Sequence, residues 1–116
     1  MQVSGWKTGE SEQVNPDDTH GLRLGDANRD AYCAKLKKVS VEICGVIYVF
    51  SLTRRENFWT TCPEIRDSDL EPGQGTPIRD YLYGRGWSWW PRKKPPHFEL
   101  MPLGNGSFRL EPPDPV

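Results

Sequence analysis

The hydrophobic positions of this chain fall into short blocks separated by turn residues, and one block stands out. Ser40 to Leu52 (SVEICGVIYVFSL) is rich in β-branched and aromatic residues, and its apolar run continues on both faces from Ile43 to Phe50. Such a run predicts a central strand covered on both sides. Gly45 inside it marks a bulge or a close approach of another backbone. Thr53 to Asn57 is polar and turn-like, and Phe58 to Cys62 reads as the returning strand of a hairpin, stopped by Pro63.

Upstream, Ala27 to Lys38 places Tyr32, Leu36 and Val39 on one face at helical spacing, with Asp26 as N-cap and Arg29, Lys35 and Lys37 toward water. A short strand is expected at Leu22 to Leu24. Residues 1–20 lack periodicity and read as a mobile arm with a short ordered piece around Trp6. Downstream, Glu64 to Gly75 is an acidic loop. Thr76-Pro77 starts a short helix, Pro77 to Tyr83, which Gly84 stops. Trp87 to Trp90 is a candidate short strand, and Pro91 to Pro96 an extended connector. His97 to Met101 and Ser107 to Leu110 flank Leu103-Gly104-Asn105-Gly106 and predict a terminal hairpin.

The order helix, hairpin, short helix, hairpin predicts an α+β fold. Its core is a small antiparallel sheet of four to five strands, with one main helix packed on a face and a second short helix. The 116 residues fit a single domain, placed at residues 21–111, with residues 112–116 a frayed tail. Eleven Pro and eleven Gly, with only 35% hydrophobic residues, point to an ordered core carrying long loops.

Net charge is −1, so whole-molecule charge gives no case for nucleic acid or membrane. The longest apolar run is too short to span a bilayer. Cys33, Cys44 and Cys62 make an odd count without a CxxC, and no apolar leader is evident at the start of the sequence. Free thiols in a reducing cytoplasm are the expectation.

Candidate chemistry fails at specific residues. Asp26-x-Asn28-x-Asp30 resembles the start of a calcium loop, but Ala31 and Lys37 stand where the turn glycine and the bidentate glutamate belong. Helix capping accounts better for it. Asp67, Asp69 and Glu71 alternate, but a solvated acidic loop explains them without a cation. Cys33, Cys44, Cys62, His20 and His97 are too widely spaced for a zinc knuckle. Cys44, mid-strand, is expected to be a buried inert thiol, and Cys62 is the thiol placed for exposure. Gly73-Gln74-Gly75-Thr76 lacks the lysine of a phosphate loop, and Pro77 removes one N–H donor. No metal, cofactor or catalytic residue is assigned, and a non-enzymatic role is expected.

The remaining signal is Arg79 to Phe98, RDYLYGRGWSWWPRKKPPHF. From Tyr81 onward it holds four bases and no acid. If Trp87 to Trp90 is extended, Trp87 and Trp89 share one face and Trp90 the other. At least one indole is then expected at the surface, unless all three are core. Exposed aromatics beside cations suit a protein interface, where Trp, Tyr and Arg are enriched. The expected contact residues are Tyr83, Arg85, Trp87, Trp89, Trp90 and Arg92. The expected partner is a protein, another copy of this chain included. Two alternatives use the same stretch. One is single-stranded nucleic-acid binding, ranked lower on net charge. The other is a ligand or enzymatic pocket lined by Trp and Tyr, with His97, Cys62 and Arg85 as polar groups. Size and lack of motifs give the impression of a free-standing accessory protein of the sort carried by mobile elements or phages.

Overall fold

The structure, a computed structural model, describes residues 1–8, 19–91 and 93–111. Among them are seven strands: β1 (Gln2–Lys7), β2 (His20–Arg23), β3 (Lys38–Ile43), β4 (Val46–Ser51), β5 (Glu64–Arg66), β6 (His97–Gly104) and β7 (Ser107–Leu110). They form one mixed sheet in the order β4-β3-β7-β6-β1-β2-β5, antiparallel throughout except where β3 runs parallel to β7. The first part of β6, His97–Glu99, pairs with β1, and Leu100 to Gly104 pairs with β7. One strand thus belongs to both halves, and the sheet curls into a nearly closed barrel.

This corrects the expected four- to five-strand antiparallel sheet with one main helix on a face. Among the described residues there are two short helices, α1 (Asp26–Tyr32) and α2 (Pro77–Gly84), and neither covers the sheet as a layer. The reason lies chiefly in the long apolar block. Cys44 and Gly45 both take positive φ, 52° and 84°, and make a two-residue turn that splits the block into β3 and β4. The single central strand is therefore a hairpin, and β4 is an edge. Val39, Val41, Ile43 and Phe50 face the core, while Ile47 and Val49 face solvent.

Other segments move as well. Gln2–Lys7, placed at the sequence level in the N-terminal arm, forms β1 between β6 and β2. Residues 9–18 and 112–116, the rest of that arm and the tail, lie outside the described residues. Helix α1 ends at Tyr32, and Val39 belongs to β3. Arg29, expected in water, is buried, donating to Phe58 O and pairing with Asp26 and Asp30. The Asp26 and Asp30 carboxylates thus serve an arginine. Phe58 to Cys62 is not a strand: a 3-10 turn at Glu56–Phe58 drops Phe58 into the core, and β5 follows Pro63. Burying that phenyl ring contributes roughly 2–3 kcal/mol. The terminal hairpin forms as expected, with Asn105 and Gly106 at positive φ.

The inner face holds Val3, Leu22, Ile65, Phe98, Leu100, Phe108 and Leu110, and Ile78, Tyr81 and Leu82 of α2 are buried with them. Gly21 is required on β2. A Cβ there would stand 2.6 Å from Ile65 O and 3.2 Å from the Trp6 ring. Trp6 lies across that glycine, and the Arg66 guanidinium stacks 4.1 Å from its ring centroid.

Candidate functional site

The aromatic and basic stretch begins on α2, so the anchoring of that helix comes first. Pro77 occupies its first position, as the sequence predicts. The cap is not Thr76, whose hydroxyl donates to Asp80 instead. It is Asp67, which follows β5 directly. Its carboxylate accepts from Ile78 N–H at 2.9 Å and Arg79 N–H at 3.0 Å. Burial pushes the Asp67 carboxyl up to about 6, outweighing the two N–H donors that pull it down. The helix end that superficially suggested phosphate cradling is thus already filled by a side chain.

The rest of the acidic loop is also committed. Asp69 is 2% exposed and pairs with Arg55 at 3.1 Å, and Glu71 pairs with Arg54 at 2.7 Å. Asp67 and Asp69 are therefore buried rather than solvated, while Glu71, although paired, stays exposed. Among the described residues no group of three or more His, Cys, Asp or Glu side chains is placed to hold a metal ion. Likewise no helix there is long and apolar enough to cross a membrane.

The end of α2 aims the stretch outward. Trp87 N–H donates to Leu82 O at 2.9 Å and Gly86 N–H to Tyr83 O at 3.0 Å, with Gly86 at φ 82°. This C-terminal lock reverses the chain and leaves the Trp87 side chain 37% exposed. Trp89 is 36% exposed. Trp87 to Trp90 does not form a strand. Trp90 is half-buried and packs over Gly5, where a Cβ would stand 3.3 Å from the indole. Tyr83 is half-buried, its ring edge-on to His20 at 5.5 Å. Arg92 lies outside the described residues.

Arg85 leads to a feature that sequence reasoning missed. Its guanidinium sits 4.0 Å from the Tyr81 ring centroid, and its buried Nε has no acceptor among the described residues. It borders a cavity of about 190 Å³ lined by Glu42, Cys44, Gly45, Tyr81, Arg85, Arg109 and Leu110. The thiol here is Cys44, exposed in the β3–β4 turn rather than buried mid-strand. Cys62 is half-buried and His97 is exposed, and neither lines this cavity. Cys33 is fully buried, and burial pushes its thiol up to about 11, which makes it inert. Tyr81 donates to Glu111 O at 2.8 Å, and burial raises its hydroxyl above the usual range while Arg85 pulls the other way. Arg109 is held by Glu111 at 3.3 Å and by the Met101 sulfur at 3.2 Å. The cavity is smaller than the roughly 300–1,000 Å³ of typical ligand pockets. It has room for one side chain, with a cationic donor on its wall.

No protein-family model, no curated protein and no solved structure matches this chain.

Proposed function

We propose that this chain is a binding module that takes a protein partner on the surface formed by Tyr83, Arg85, Trp87, Trp89 and Trp90. One observation carries the reading. In a chain whose other large aromatic side chains are mostly buried or half-buried, Trp87 and Trp89 follow a locked helix end and remain exposed, in a stretch of sequence that also carries Arg85, Lys93 and Lys94. Indoles in that position cover a large area at low entropy cost and are enriched among interface anchors. The cavity beside Arg85 supports the same reading, as a socket for a partner side chain bearing a carboxylate. Trp90, held over Gly5, and Tyr83, held against His20, fix the base from which the exposed indoles project.

The test compares Trp87→Ala and Trp89→Ala with Trp90→Ala. The first two keep the wild-type melting temperature and lose captured partners, whereas Trp90→Ala loses stability. If Trp87→Ala and Trp89→Ala retain every partner and lose only stability, the reading fails. Titration of single-stranded oligonucleotide across salt separates the nucleic-acid alternative, because phosphate contacts give a steep salt slope.

A further inference from the structure

β4 is the last strand on one side of the sheet, and its register fixes which backbone groups it leaves unpaired. The pair Ile43/Val46 closes the Cys44-Gly45 turn, and at the far end of the ladder Leu52 N–H donates to Lys37 O at 2.8 Å. Bonded and non-bonded pairs alternate along an antiparallel ladder. Val46, Tyr48 and Phe50 therefore bond to β3, and the N–H and C=O of Ile47, Val49 and Ser51 point away from it. Among the described residues no backbone group bonds to them from the open side. Ile47 is 67% exposed and Val49 51%. Val46–Ser51 holds no Lys, no Pro and no charge, and its ladder to β3 has no bulge. Of the usual devices that blunt an edge strand, charge, proline and a bulge are missing, and the turn Asp67–Asp69 comes near β4 without a backbone hydrogen bond to it.

We propose that β4 is a self-pairing edge. Two copies join β4 to β4, antiparallel, across a two-fold axis through Tyr48. This register sets Ile47 of one copy opposite Val49 of the other, twice, and Gly45 opposite Ser51. Outward backbone groups then meet as bonded pairs, and the Ile47 and Val49 side chains cover each other on one face. The occupant is a second copy for two reasons. The strand carries no charge, so placing it against itself brings no like charges together. Its run Val-Ile-Tyr-Val-Phe is apolar read in either direction, so its own reverse is a complement. The opposite edge, β5, is occupied by side chains: Arg55 donates to Glu64 O, and Asp69 accepts from Arg66 N–H at 3.0 Å. Association therefore closes at a dimer and does not propagate.

Sedimentation equilibrium of the full chain tests this. The wild type shows a dimer with a Kd in roughly the micromolar range. Val49→Lys and Ile47→Glu are each monomeric and keep wild-type circular dichroism, since both side chains lie in solvent. Mixing the two variants restores a dimer, because position 47 of one copy faces position 49 of the other. Trp87→Ala leaves the dimer unchanged, which separates this edge from the aromatic surface. The proposal is overturned by a wild type that stays monomeric up to about 1 mM, or by a Val49→Lys chain that still dimerises. It is equally overturned by a variant mixture that stays monomeric, or by a Trp87→Ala chain that loses the dimer.

Discussion

The two ends of the sheet face the same physical problem and meet it differently. Both β4 and β5 have one side without a strand neighbour, and in both the ladder register turns alternate backbone groups outward. At β5 the outward groups lie on Glu64 and Arg66, because Leu24 N–H bonds to Pro63 O and sets the alternation. Glu64 O and Arg66 N–H each meet a side chain, and Glu64 N–H donates to Cys62 O at 2.8 Å. Arg55, which also bonds Asn57 and Cys62 O, covers Glu64 O, and Asp69 covers Arg66 N–H. At β4 the outward groups make no backbone hydrogen bond among the described residues, although the turn Asp67–Asp69 comes near the strand, and the side chains between them are apolar. An edge can thus be finished by charged side chains that imitate a strand, or left for a strand to arrive.

Breaking the finished edge carries the largest cost. Asp69→Ala removes one partner of a buried ion pair and uncovers Arg66 N–H, so urea unfolding should show a loss of about 3–5 kcal/mol. Next comes Asp67, in the turn that follows β5. Its folded carboxyl, at about 6, lies above the ordinary 3.8, so the folded chain holds this proton more tightly than the unfolded chain. Its contribution is fully present below about pH 4 and falls away as pH rises through about 6. Stability curves of wild type and Asp67→Asn should diverge across that window by up to about 3 kcal/mol, the wild type losing more. If the two run parallel, the carboxyl is not held up by burial. Gly21→Ala drives a methyl group into Ile65 O and pushes β5 from β2. A loss of about 2 kcal/mol is expected in thermal melts. The smallest effect belongs to the open edge. Val49→Lys should change monomer stability by no more than about 0.5 kcal/mol while abolishing self-association. A large loss there would mean that β4 is not open.

What was legible in the sequence was local. Asn105-Gly106 between two apolar runs gave the terminal hairpin, and Pro77 marked the start of α2, whose end is set by Gly86 at positive φ rather than by Gly84, the last helical residue. What was illegible depended on partners distant in sequence. β1 carries little apolar signal beyond Val3 and Trp6 and becomes a strand because β6 and β2 lie on either side. The acidic loop looked solvated because Arg54 and Arg55, which claim Glu71 and Asp69, come from the loop before β5. The β3–β4 turn was hidden by a cysteine in a left-handed conformation that usually favours Asn or Gly. Once Cys44 was read as buried, Ile47 and Val49 had to be buried too. Of the aromatic stretch, the sequence marked the cluster but left open whether all three indoles are core or some face outward. That Trp87 and Trp89 turn outward depends on Gly86 and the helix-end lock, while Trp90 is held by Gly5, a residue of β1. The cavity at Arg85 had no sequence signal, since β3, β7 and α2 each supply part of its wall.

The position of β6 and β7 in the sheet has a consequence for how the protein is made. β1 is synthesised well before β6, with which it pairs, and β3 before its partner β7. At roughly 5–20 residues per second, the strand holding Gln2 waits roughly 5–20 s for the strand holding Glu99. Until then the β3–β4 hairpin is bare on both sides, and a chain stalled before His97 holds two separate pieces of sheet with no strand to join them. The sheet is joined only when β6 and β7, the latest of the described strands, are made, so a truncation that removes them takes out the middle of the sheet rather than its margin.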